Sequence, residues 1–229
     1  MGAIFLDGGT LGINKADTVF AEAMFGCEDD LWETWKDLSP HPLQTQEPGG
    51  DRHWIQTYPV LQKLTEFEKM TGLEFKHIRL LARAFTDRSI GFNNLTLGSN
   101  QRMEFLGDTV LQLITSEYLY KHFPDHHEVI KYFCCNRTKY FLCQGHLSLL
   151  RSSLVNNRTQ SVVCDDLGMM KYSLYNNPKA EVKVKDKADL LEALLGALYV
   201  DKDLSYCQVF ANVCFFPRLH EFILNQVIN

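Results

Sequence analysis

Glu104 and Asp108 stand four residues apart in the run NQRMEFLGDTVL (100–111), and Asp189 and Glu192 stand three apart in KADLLEALLGALY (187–199). On a helix, positions three or four apart share a face, so each pair projects two carboxylates together. The surrounding residues of the first run, Phe105, Leu106, Val110, Leu111, Leu113 and Ile114, predict a core helix. Burying an unpaired carboxylate costs roughly several kcal/mol, so four such acids need cations between them. Oxygen ligands with no neighbouring His or Cys favour Mg²⁺ or Mn²⁺ over Zn²⁺. The chemistry expected of that set is metal-assisted phosphodiester hydrolysis, one ion activating water while metal charge stabilises the leaving oxygen. Gly107, between the first two acids, leaves room for a ligand or another backbone. The same spacing also fits solvated or salt-bridged helix faces, which is the reading that spacing alone favours.

The elements that must position these acids are helical. Apolar periodicity predicts helices over 1–6, 17–25, 58–70, 77–86, 101–122, 145–157, 187–200 and 205–225, an all-α protein. Residues 38–50, LSPHPLQTQEPGG, gather Pro, Gly and polar residues and predict a connecting loop. The opening MGAIFLDGGTL (1–11) repeats the order of LGALYVDKDL (195–204), which predicts two related domains. The expected division is 1–37 as the end of a first domain, 38–54 as a linker and 55–226 as a second domain.

The 229 residues are 45% hydrophobic and 22% charged, the composition of a globular chain. No stretch approaches the roughly 20 apolar residues of a membrane helix, and no basic segment leading into an apolar signal region follows Met1, so an intracellular protein with no membrane partner is expected. Seven cysteines show no paired C-x-x-C spacing. Cys164, Cys207 and Cys214, set among apolar residues, are expected as reduced core thiols. The triplets beginning at Asn94, Asn136 and Asn157 match the glycosylation pattern, which an intracellular chain does not use. The net charge of -5 leaves no excess of cations for nucleic-acid phosphates.

Taken as a string, NQRMEFLGDTVL resembles the ribonuclease III signature Asn-Glu-Arg-Leu-Glu-Phe-Leu-Gly-Asp-Ala/Ser-Val-Leu, departing at Gln101, Met103 and Thr109. Further matches follow in family order: LLRSSLVNNRT (149–159), LGMMKY (167–172) and ADLLEALLGALYVD (188–201). The chain resembles most the second, C-terminal ribonuclease III domain of the nuclear members that crop primary microRNA hairpins. The resemblance implies an all-α endonuclease domain that pairs with a second ribonuclease III domain, each cutting one strand of a double-stranded RNA hairpin. It also implies a nuclear location and a double-stranded-RNA-binding partner protein. Glu104, Asp108, Asp189 and Glu192 match the family's four catalytic, metal-binding carboxylates, with Mg²⁺ or Mn²⁺ as cofactor. Gln101 replaces an acid of the signature, and an amide cannot neutralise a cation. Asn100, Gln101 and Arg102 are candidate RNA contacts or supports of the metal site, with helix capping and a surface ion pair as the competing reading. A non-catalytic dimerisation or RNA-binding module is the alternative function.

Sixteen residues, VIKYFCCNRTKYFLCQ (129–144), interrupt the resemblance. Their residues have AT-rich codons, and they begin with Val and end with Gln, whose codons can carry the terminal dinucleotides of an intron. A translated intron is therefore expected there, with a lineage-specific loop as the competing reading. The resemblance stops at Gln226, where a second read-through is expected. A zinc site from His122, His126, His127, Cys134, Cys135 and Cys143 fits no standard ligand spacing.

Overall fold

The computed structural model describes residues 40–122, 145–176 and 181–218. The chain divides into two compact units, Met1–Pro42 and Leu43–Asn229. The expectations for 1–37, for the insert 129–144 with its cysteines, for His126 and His127, and for the tail beyond Gln226 lie outside the described residues.

Eight α-helices and three 3₁₀ turns make up the described residues: α1 (Pro42–Gln46), α2 (Pro59–Thr71), α3 (Ile78–Ala84), α4 (Gln101–His122), α5 (Gly145–Leu154), α6 (Asn157–Asp166), α7 (Val184–Asp201) and α8 (Leu204–Cys214), with turns at Arg52–Gln56, Arg88–Ile90 and Met169–Tyr172. No strand occurs among them. A single bridge joins Thr86 to Leu174. The all-α expectation holds.

Local chemistry explains the helix ends. Pro59 opens α2 with its fixed φ, and Gly72 closes it in the left-handed conformation at φ 74°. The expected helix 145–157 breaks after Leu154 because Asn156 turns extended and its Oδ1 accepts the Thr159 N–H at 2.8 Å, starting α6 as a new helix. Asp203 caps α8 in the same way, accepting the Tyr206 N–H at 2.9 Å.

The segment expected as a linker over 38–54 is part of the packed body from Leu43 onward. Leu43 and Asp51 are fully buried. Arg52 forms a bidentate pair with Glu68 of α2, 2.9 Å for each N···O contact. Loop composition predicts turns here, but one apolar side chain on a short helix is enough to anchor them.

Helix α7 is the centre of the domain, burying Ala188, Leu190, Leu191 and every residue from Ala193 to Leu198. Helix α4 crosses it, burying Met103, Gly107, Val110, Leu111, Ile114, Thr115 and Leu119. Two residues expected on the buried face of α4 lie outside it, Phe105 at 78% exposure and Leu113 at 52%. The buried stripe follows 103, 107, 110, 111 and 114, which leaves 105 on the opposite side and 113 on the flank. Arg79 and Arg83 on the buried helix α3 point into the loop that follows. Arg79 donates to the Leu95 and Asn94 carbonyls at 2.7 and 2.8 Å, and Arg83 donates to Ser99 at 3.1 Å. These bonds fix the loop that delivers Asn100 to the start of α4.

Candidate metal centre

The α4–α7 crossing is made backbone to backbone. A β-carbon on Gly107 would collide with the Glu192 carbonyl and the Gly196 amide, and one on Gly196 would collide with the Met103 carbonyl. Two glycines therefore set the spacing of the helices, and the spacing sets the site. Carboxylate oxygens of Glu104, from α4, and of Asp189 and Glu192, from α7, all lie within 4.8 Å of one another. The room expected at Gly107 is filled by a neighbouring backbone, not by a ligand.

Asp108 stands outside this triangle. Its Oδ2 accepts a hydrogen bond from Gln112 Nε2 at 2.9 Å, though its charge still reaches Glu192. One helical turn separates it from Glu104. Three of the four expected ligands are thus drawn together, and the fourth stands one turn away.

Burial pushes the Glu192 carboxyl up to about 7, the Gln160 side-chain hydrogen bond opposing and the charges of Asp108, Asp189 and Glu104 adding to it. Burial raises Glu104 too, with the Asp189 charge as the next cause. Crowded carboxylates that resist ionisation favour any cation placed among them. One cation is supplied by the chain itself. Lys185, one turn before Asp189, places Nζ 2.8 Å from both Asp189 carboxylate oxygens and 3.9 Å from Glu104 Oε1. The all-oxygen set of Glu104, Asp189 and Glu192 fits a hard divalent ion better than zinc.

Beside the acids opens a cleft of about 740 Å³ whose walls include Glu104, Asp189, Gln101, Arg88, Lys171 and Lys185. Asn100 also lines it. Its backbone carbonyl accepts the Met103 and Glu104 N–H groups at 2.9 Å, the place of a helix cap. Gln101 and Arg102 are exposed at the start of α4. His122, the one described member of the imagined zinc group, lies against the Tyr118 ring, centroids 4.3 Å apart. Cys164 and Cys207 are buried free thiols, both pushed up to about 12 by burial, and Cys214 is half-buried.

Sequence reasoning missed Lys185, Arg88, Lys171 and Gln160. Lys185 was legible, since a cation four residues before an acid on a helix forms an ion pair. Gln160 left a fainter signal, an amide on a stripe shared with Val163 and Cys164. Arg88 and Lys171 sit in turns far apart in sequence, and only the fold sets them on one cleft.

Residues 101–203 match the sequence profile described as the ribonuclease III domain. The chain is 53% identical over 229 residues to the human protein named Ribonuclease 3, a match covering 99% of this chain and 15% of that protein. It is 33% identical over 161 residues to Ribonuclease 3 of Thermobifida fusca, covering 69% of this chain and 60% of that one. Among solved structures, the nuclease domain of Campylobacter jejuni ribonuclease III, described for flexibility in a region involved in dimer formation, superposes with a TM-score of 0.52 at 29% identity. That superposition covers 67% of this chain and 92% of the other. The chain therefore spans only a small fraction of its long animal relatives, and its residues 101–203 carry a ribonuclease III domain.

Proposed function

We propose that this chain carries a Mg²⁺- or Mn²⁺-dependent endoribonuclease half-site that cleaves one strand of a double-stranded RNA hairpin, as the second ribonuclease III domain of a Drosha-like protein processing primary microRNA in the nucleus. The observation that carries the reading is the convergence of Glu104, Asp189 and Glu192 across the Gly107–Gly196 crossing. Asp108 is assigned to the same site as its fourth ligand, since it shares a face of α4 with Glu104 one turn away and its charge bears on the Glu192 carboxyl. Glu104, Asp189 and Glu192, with Asp108, would hold divalent ions, which when bound would supply an activated water and charge for the leaving oxygen, while Lys185 balances the acids and Arg88 and Lys171 on the cleft wall offer charge to RNA phosphates.

A partner fits the rest of the surface. The net charge of -5 gives the chain little purchase on RNA alone, which favours a second ribonuclease III domain and a double-stranded-RNA-binding partner protein. Phe105, 78% exposed and next to a site acid on the same helix, is an apolar anchor of the kind that pairing domains bury. The repeat of the 195–204 motif at 1–11 supports assigning 1–37 to the end of a preceding domain and 55–226 to the second.

The test is nicking of a hairpin RNA by the chain paired with a complete first ribonuclease III domain, with and without Mg²⁺. Metal-dependent nicking that Glu104→Gln and Asp189→Asn each abolish is the expected result. A paired, folded protein that binds RNA and never cuts it would assign the domain to the non-catalytic alternative.

A further inference from the structure

Tyr172 closes the turn Met169–Tyr172 with its ring buried, edge-on to Phe67 and Phe85 at 5.4 and 6.4 Å between centroids. Two ammonium groups sit over that one ring. Lys63 Nζ, from α2, lies 5.8 Å from the centroid, and Lys171 Nζ lies 5.2 Å from it. Lys63 also donates to the Lys171 backbone carbonyl at 2.6 Å, across 108 residues of sequence.

Gathering like charges is unfavourable unless an anion meets them. Lys121, Lys185 and Lys187 each have a carboxylate oxygen close by, at 2.5, 2.8 and 2.7 Å. Among the described residues no carboxylate pairs with Lys63, and Lys171 meets Glu66 at 3.9 Å with the two side chains 66% and 62% exposed, a contact that contributes little. The shared ring and the carbonyl order both ammonium heads in advance, so an anion that binds them does not bear that cost. Lys171 lines the cleft that holds Glu104 and Asp189, and Lys63 continues its positive charge onto α2. The anion that suits such a pair is a nucleic-acid backbone, because double-stranded RNA is gripped through phosphates and 2′-hydroxyls and lysine meets a phosphate as a point charge.

We propose that Lys63 and Lys171 form a clamp for the phosphate backbone of double-stranded RNA at the cleft wall, seating the duplex through charge without reading its sequence. The inference rests on the reading of the domain as a nuclease for double-stranded RNA, and it extends the RNA path from the cleft onto α2. Lys63 has a second part in the clamp, since its bond to the Lys171 carbonyl holds the turn that presents Lys171.

The experiment is binding of a fluorescent hairpin RNA by the full chain paired with a complete first ribonuclease III domain, in a chelating buffer so that nothing is cut. Fluorescence anisotropy over a series of KCl concentrations gives the slope of log affinity against log salt. Lys63→Gln and Lys171→Gln remove the charge and keep a hydrogen-bond donor. Each should lower the magnitude of the slope by about 1, the value of one phosphate contact, and should weaken binding equally for hairpins of different sequence. Lys63→Arg should keep the slope, and so should Lys187→Gln, because the Lys187 ammonium already pairs with Asp165. With Mg²⁺ restored, the two charge-removing variants should nick with raised KM and unchanged kcat. An unchanged slope in either of them would overturn the proposal, even with weaker binding, which would mark a merely structural role. An equal fall in slope for Lys187→Gln would overturn it too, as an effect of overall charge. If the unaltered pair binds no hairpin RNA at all, the reading of the domain as a nuclease for double-stranded RNA fails, and this proposal with it.

Discussion

Gly107 and Gly196 meet across the α4–α7 crossing with no side chain between them, each lying where a β-carbon would strike the other helix's backbone. Glu104 sits three residues before the first of these glycines, and Glu192 sits four before the second. The close approach therefore places the two acids side by side. In most helix pairs the axes stand 8–10 Å apart with side chains interleaved, and short carboxylates from both would not converge so tightly.

Alanine at either glycine should separate the helices. Gly107→Ala is expected to cost about 1–3 kcal/mol through overpacking, measured as a lowered urea midpoint. It should also weaken Mn²⁺ binding, because a displacement near 1 Å at such a site costs about 10²-fold. Gly196→Ala should do the same. Either variant binding Mn²⁺ as tightly as the unaltered chain would show that the crossing does not set the site.

Without metal, the stability of the domain should fall as pH rises from about 4.5 to about 7. The folded state holds the Glu192 carboxyl at about 7 against an ordinary 4.5. The folded state thus binds the proton more tightly than the unfolded chain, so its advantage is complete below the unfolded value and is lost as pH climbs through the folded one. The loss is at most about 3 kcal/mol, and thermal unfolding at a series of pH values in a chelating buffer reads it. Glu192→Gln should flatten the slope and leave the metal-free protein more stable than the unaltered one at pH 8. An equal slope in both would assign the effect elsewhere.

Asp201 should matter to folding and not to metal. Its side chain is fully buried, and it accepts the Lys76 and His77 N–H groups at 2.7 and 2.9 Å and faces His77 Nδ1 at 2.8 Å. It ties the end of α7 to the start of α3. Asp201→Ala is expected to cost about 3–5 kcal/mol, the range for breaking a buried pair, with Mn²⁺ affinity unchanged at temperatures where the variant stays folded. Urea denaturation checks the first part and Mn²⁺ titration the second.

Phe105 should behave oppositely. At 78% exposure its replacement by Lys should alter stability by no more than about 0.5 kcal/mol. Pairing with a complete first ribonuclease III domain, followed by analytical ultracentrifugation, should be lost. Undiminished pairing would place the interface on another face.

How much was legible beforehand varies from residue to residue. The echo of Asp201 at Asp7 was visible in the sequence, but its role as a clamp on α3 was not, because the partners lie more than 120 residues away in the chain. The cap at Asn156 is present in the string VNNRT, where apolar periodicity predicts the interior of one helix. A side chain that can close a turn starts a new helix only where the chain also changes direction, and periodicity does not record direction.

The sequence by itself determined the helical class, the family signature and the pairing of acids within each helix, since a period of 3.6 residues decides which side chains share a face. It also marked Gly107 as a place of close approach. The tertiary structure alone decided that the approach is by the backbone of α7, that Glu104 meets Asp189 and Glu192 while Asp108 stands a turn away, and that Phe105 faces outward. The physical reason is that local periodicity fixes angles around one axis, whereas the distance between axes and the choice of neighbour follow from packing the whole core at once.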